Sequence, residues 1–92
     1  MAGLKRIAVC VRGQVQGVFF RRESQQKARR LGLSGFARNE ADGSVYAEAE
    51  GSETALGDFI RWCRTGPANA RVEAVESKEI PLRGEEEFEV IH

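Results

Sequence analysis

Apolar and polar positions alternate from early in the chain. Ile7, Val9 and Val11 fall on one side of an extended backbone and Ala8 and Cys10 on the other, which predicts a first strand from Lys5 to Gly13. Past a glycine-punctuated stretch the period changes. Phe20, Ser24, Ala28 and Leu31 form a thin stripe, so a helix is predicted that ends near Leu31-Gly32 and packs closely through small residues. Lys27, Arg29 and Arg30 suit the negative end of the helix dipole, and Gly32 suits a stop. An extended stretch from Leu33 to Glu40 follows, then Ala41-Asp42-Gly43, then Ser44 to Glu50. In that last segment Val45, Ala47 and Ala49 alternate with Tyr46, Glu48 and Glu50, and Asp42-Gly43 is a hairpin signal because glycine accepts positive φ. Ser52 can cap a second helix, with Glu53 in its first turn. Leu56, Phe59, Ile60 and Cys63 give it the clearest apolar stripe of the chain, and Thr65-Gly66-Pro67 ends it. A fourth strand is predicted from Ala70 to Ile80, with a slip of alternation near Ala74-Val75 that suggests a bulge. A last strand runs from Glu86 to Ile91.

The order is therefore β-α-β-β-α-β with an extra C-terminal strand. That is an α+β, ferredoxin-like sandwich, in which an antiparallel sheet of four to five strands carries two helices on one face. A chain of 92 residues is enough for one domain over 1–92 with a single two-layer core.

Composition removes several function classes. Lys and Arg number 14 against 14 Asp and Glu, so no general basic field recruits nucleic acid or an anionic membrane. No run has the length of a signal or transmembrane segment, which points to the cytoplasm. Cys10 and Cys63 have no paired spacing and read as buried, reduced side chains. His92 is the single histidine, which weighs against a Ser-His or Cys-His nucleophile, and no cluster has metal-ligand spacing.

One stretch breaks a local rule. Gly13-Gln14-Val15-Gln16-Gly17-Val18-Phe19-Phe20-Arg21-Arg22 joins a strand, a glycine loop and a helix start, the ingredients of an anion cradle. Two arginines stand where cations oppose the helix dipole by roughly 0.3–1 kcal/mol each. A bound anion turns that penalty into attraction. The plainer reading is a tight strand-to-helix connection shaped by Gly13 and Gly17, with Val18 and Phe20 as core plugs and Arg22 facing solvent. Asn39 by default is a solvated residue at a strand end. Trp62 reads as partial core, and Glu85-Glu86-Glu87 as a solvated edge that discourages sheet pairing.

Two segments change the balance. Gly13 to Arg21 resembles the G-x-V-Q-G-V-x-F-R signature of the acylphosphatase family at every fixed position. Gly35-Phe36-Ala37-Arg38-Asn39, then Gly43, Val45 and Gly51, resembles that family's second signature, spacing included. The resemblance implies hydrolysis of the carboxyl-phosphate bond of small acyl phosphates without metal or other cofactor. It implies Arg21 as the phosphate-binding arginine and Asn39 as the residue that orients the attacking water. Backbone N–H groups of Val15, Gln16, Gly17, Val18, Phe19 and Phe20 are implied as donors to the phosphate oxygens. Such chemistry leaves the protein mainly positioning and charge stabilisation, for which an arginine fork and a neutral amide suit. Inorganic phosphate and sulfate are the expected competing anions, and a free-standing monomer without nucleic-acid or membrane partner is expected. The competing readings are a binding module for anions or RNA, and an anion-binding domain of a larger carbamoyl-transfer protein. Against RNA, the strand positions Val9, Val11, Val45 and Ala47 offer no stacking surface.

Overall fold

The computed structural model describes residues 3–92; of the domain expected over 1–92, Met1 and Ala2 lie outside the described residues. The elements are β1 (Lys5–Gln14), α1 (Phe20–Arg30), β2 (Ser34–Asn39), β3 (Val45–Gly51), α2 (Glu53–Thr65), β4 (Arg71–Ile80) and β5 (Phe88–Ile91). They form one sheet in the order β4-β1-β3-β2-β5. Neighbours are antiparallel except β5, which runs parallel to β2 and makes the sheet mixed.

Each element follows from its residues. Ile7, Val9, Val11, Ala37, Val45, Ala47, Ala49 and Phe88 are buried on the helix side of the sheet, as period-two alternation requires. Phe20, Ser24 and Ala28 bury one face of α1, and Leu56, Phe59 and Cys63 one face of α2. Ser24 is fully buried, and its hydroxyl donates to the Arg21 carbonyl at 2.7 Å, so a small side chain lets α1 sit close to the sheet with its polar atom satisfied. Trp62 is half-buried with its ring centroid 5.2 Å from that of Phe20, which fits the expected partial core.

The suspected bulge exists, one position from where the alternation slips. Arg12 pairs with Ala74 and Gly13 with Val72, leaving Glu73 without a partner on β1. The extra residue resets the phase, so Val72 and Val75 both pack against the core although three apart in sequence. Gly13 is needed there: a Cβ on it would lie 2.0 Å from the Arg71 carbonyl oxygen.

Three expectations need correction. Cys63 is buried but Cys10 is only half-buried, because it points to the open side of the sheet, away from the helices. Glu85 is not a solvated edge residue, since its Oε1 stands 2.6 Å from Arg6 Nη2. Val9, Val11, Val45 and Ala47 face the core, so they say nothing about an RNA-binding surface. The open face carries Phe36 and Tyr46 with ring centroids 6.1 Å apart. The Arg38 guanidinium lies 4.8 Å from the Tyr46 centroid and that of Arg83 6.0 Å from Phe36, so both rings are already engaged.

Because β4 and β5 occupy opposite sheet edges, the connection between them must cross the sheet. It is held by a buried polar cluster. The Arg6 side chain, fully buried, donates to Glu48 at 2.8 Å and Glu50 at 3.2 Å, and pairs with Glu85. Glu50 also accepts the backbone N–H groups of Arg83 and Gly84 at 2.8 and 3.1 Å. Burial by itself disfavours the charged carboxylates, but Tyr46 and Arg6 outweigh it at Glu48, and the Arg83 amide and Arg6 outweigh it at Glu50. Both pKa values therefore lie below the ordinary range.

Candidate active site

The loop between β1 and α1 begins where β1 leaves the bulge and ends at the start of α1. Val15 is buried and Val18 packs partly against the core, which pins the loop from below. Phe20 is 2% exposed and acts as the plug expected of it. Gly17 has φ 74, a left-handed conformation that costs glycine little. The helix then starts without a side-chain cap: Phe19, at the capping position, makes no capping hydrogen bond and adopts φ 63, ψ 23. The first amides of a helix have no partner within it. Here the first such backbone bond runs from Glu23 N to the Phe19 carbonyl, so the amides before Glu23 stay available to a ligand.

The β2–β3 turn fixes the other side. Asp42 accepts from the Ser44 N–H at 2.9 Å and the Ser44 hydroxyl at 2.6 Å, and Arg12 donates to it at 3.1 Å. Those hydrogen bonds, the Ser44 hydroxyl first, hold the Asp42 carboxyl down to about 2. The Gln16 side chain bridges loop and turn. Its Nε2 donates to the Glu40 carbonyl at 2.8 Å and to the Ser44 carbonyl at 2.9 Å. Asn39, the last residue of β2, lies immediately before that turn.

A cleft of about 330 Å³ opens between these pieces, lined by Val15, Gly17, Phe19, Phe20, Arg21, Arg22, Asn39, Val90 and His92. It brings together Arg21, Asn39 and four of the six loop residues singled out from sequence. Gln16 instead turns its side chain to the hairpin, and Val18 turns to the core. Arg21 is half-buried, and its Nη1 donates to the Ile91 carbonyl at 2.7 Å. One turn further on, Gln25 donates to the Phe88 carbonyl at 3.1 Å, so β5 anchors α1 at two levels. Asn39 Oδ1 is buried and accepts no hydrogen bond among the described residues. A buried acceptor left open is costly unless something else donates to it.

The arrangement therefore offers an arginine steadied at one nitrogen, uncapped helix amides and an unpartnered amide oxygen, all at one concavity. It suits a tetrahedral anion with a donor molecule, such as water, beside it. The acylphosphatase family model matches residues 7–90. The chain belongs to the acylphosphatase family. A relative named acylphosphatase from Rubrobacter xylanophilus is 51% identical over 80 residues, covering 87% of this chain and 73% of that protein. Among solved structures, an acylphosphatase from Coxiella burnetii superposes with a TM-score of 0.93 at 35% identity, covering 96% of this chain and 93% of that one. An acylphosphatase from Bacillus subtilis gives 0.93 at 33% identity, covering 98% and 100%. As a member of the acylphosphatase family the protein is an enzyme, and its fold is the family's α+β sandwich.

Arg22 is exposed, as expected, and stands on the cleft wall. Two further cleft residues carry no signal in the sequence. Val90 and His92 arrive from β5 and the residue after it. Only the pairing of β5 with β2 carries them there, and no local pattern announces that pairing.

Proposed function

We propose that this enzyme hydrolyses the carboxyl-phosphate bond of small acyl phosphates by in-line attack of water, with no metal taking part. The phosphoryl group rests against the amides of residues 15–20 and is gripped by Arg21, whose planar fork matches two phosphate oxygens. Asn39 orients the water. The water oxygen bonds to phosphorus while the bond from phosphorus to the acyl oxygen breaks, and the carboxylate leaves with the electron pair. Asn39 is no base at neutral pH, so the water's proton passes to a phosphoryl oxygen of the substrate. Inorganic phosphate and sulfate compete for the same cradle. Action as a monomer in the cytoplasm, without nucleic acid or membrane as partner, belongs to the same proposal.

The observation that carries this reading is the buried, unpartnered Oδ1 of Asn39 in the cleft that also holds Arg21. The test is phosphate release from benzoyl phosphate in the presence of a chelator, wild type beside Asn39→Ala. The variant is expected to lose ~10²–10³-fold in kcat, the typical result of removing one preorganised polar group at a reacting centre. Phosphate affinity by calorimetry should survive in it. Full inhibition of the wild type by the chelator, or a variant as fast as the wild type, would end the proposal.

A further inference from the structure

Phe19 violates three local rules at once. It is the one non-glycine residue with positive φ among the described residues, and a bulky side chain is a poor choice for that region. It occupies a helix-capping position where Ser, Thr, Asp or Asn satisfies open amides, and its side chain makes no such bond. It is also 66% exposed, so the ring gains little from burial. An asparagine would meet the first demand, since it tolerates the left-handed region where a bulky ring does not. Folding alone therefore does not account for a phenyl ring here. Residues held against local preference concentrate at functional sites.

The cleft lining gives the ring a use. Its apolar members are Val15, Phe19, Phe20 and Val90. Val15 and Phe20 are 1% and 2% exposed and Val90 is half-buried, so Phe19 contributes the apolar surface that a ligand can still cover. Phe19 stands two residues after Gly17 and two before Arg21, and all three line the cleft, which places the ring beside the cradle. An exposed phenylalanine alone is ordinary; one that is strained, uncapping and on the wall of an anion cleft is not. We infer that the Phe19 ring is the acyl-side wall of the site and favours acyl phosphates whose acyl group is aromatic, an inference that rests on the function proposed above. A flat acyl group covers the ring in an offset or edge-to-face contact, whereas a methyl group cannot.

The test compares kcat/KM for benzoyl phosphate with that for acetyl phosphate in wild type, Phe19→Leu and Phe19→Asn. In Phe19→Asn the benzoyl-to-acetyl ratio should fall about three- to tenfold, the scale of one aromatic pair contact, and Phe19→Leu should lie between. Equal losses on both substrates, or an unchanged ratio, overturn the inference and leave Phe19 a residue that only shapes the loop. The affinity ratio of phenylphosphonate to methylphosphonate, read by calorimetry, should fall in parallel. That second readout separates the two claims. A wild type that binds phenylphosphonate more tightly through Phe19 but turns over no acyl phosphate refutes the proposed reaction and keeps the aromatic wall; binding of neither phosphonate removes both.

Discussion

Arg6 and Arg21 carry the same side chain in opposite circumstances. Arg6, near the start of β1 on the open side of the sheet, is fully buried and engages Glu48, Glu50 and Glu85. Arg21, beyond the other end of the 10-residue strand β1, is half-buried, and the one hydrogen bond of its side chain among the described residues goes to a carbonyl. The helix starts repeat the contrast. Both helices carry an acidic residue in the first turn, Glu23 and Glu53, but Ser52 accepts the Ala55 N–H at 3.2 Å to cap α2, whereas α1 opens on an uncapped Phe19 and adds Arg21 and Arg22 to the same turn. One region has its charges paired with each other, Arg6 Nη2 and Glu85 Oε1 meeting as an ion pair rather than in a hydrogen bond. The other has an arginine and an open amide oxygen with no charge partner beside them among the described residues. Satisfied polarity marks structure, and unsatisfied polarity in a cleft marks a site.

The largest effect expected lies in the satisfied region. Arg6→Ala leaves three carboxylates buried or half-buried together, and breaking such a cluster typically costs ~3–5 kcal/mol of stability. Urea unfolding should show that loss, while kcat/KM of the folded fraction stays at the wild-type value. The pH dependence sharpens the point. Burial opposes ionisation of Glu48 and Glu50, yet their partners hold both pKa values below the ordinary 4.5. A carboxyl with a lowered folded pKa stabilises above its unfolded value, and that share is lost as pH falls through the folded value. Wild type should therefore weaken progressively below about pH 4.5, and Arg6→Ala should weaken less steeply. A variant of wild-type stability would show that the cluster does not hold the crossing between β4 and β5.

Arg21→Ala should invert the pattern. Loss of a charge-bearing donor at a phosphoryl site corresponds to ~10²–10³ in rate, about 3–4 kcal/mol of transition-state stabilisation. Stability should move by less than about 0.5 kcal/mol, because one exposed-side hydrogen bond to Ile91 is all that is removed. A variant that unfolds but keeps its rate would erase the contrast with Arg6.

Much of the molecule is legible in its sequence. Element order, the Ser52 cap, the Asp42-Gly43 turn and the stripe of α2 all rest on contacts a few residues apart, where local chemistry decides. The loop from Val15 to Phe20 stands out in the sequence because the arginines that follow it, Arg21 and Arg22, oppose the dipole of α1. What stayed hidden depends on distant partners. Glu85 looks solvated until the crossing connection brings it to Arg6. Val90 and His92 reach the cleft through parallel pairing of β5 with β2. The strain at Phe19 is a dihedral angle, which no spacing reveals. The open-face aromatics Phe36 and Tyr46 are separated in sequence, and only the pairing of β2 with β3 brings their rings together.

A smaller effect probes the unsatisfied region through its ligand. A ligand that binds only the folded protein stabilises it by RT ln(1 + [L]/Kd), ~2.7 kcal/mol at a hundred times Kd. Inorganic phosphate should therefore raise the urea midpoint of wild type and of Arg6→Ala by a similar free energy, and should do almost nothing for Arg21→Ala. Equal protection of Arg21→Ala would mean that the anion binds elsewhere.

The finest comparison concerns the two helix starts. Ser52→Ala removes the cap of α2, which typically costs ~1 kcal/mol, or roughly 4–8 °C in Tm for a chain of this size. The hydroxyl accepts a single amide at 3.2 Å on an exposed turn, so the lower part of that range is expected. The rate on acetyl phosphate should not change, because α2 contributes no residue to the cleft lining. α2 does touch the site indirectly: a Cβ on Gly66, just past its end, would lie 2.8 Å from the Phe20 ring that plugs the loop. If Ser52→Ala lowered kcat along with Tm, strain would be passing through Trp62 and Phe20 into the cradle. The division between a self-matched region and a ligand-matched one would then have to give way to a single coupled unit.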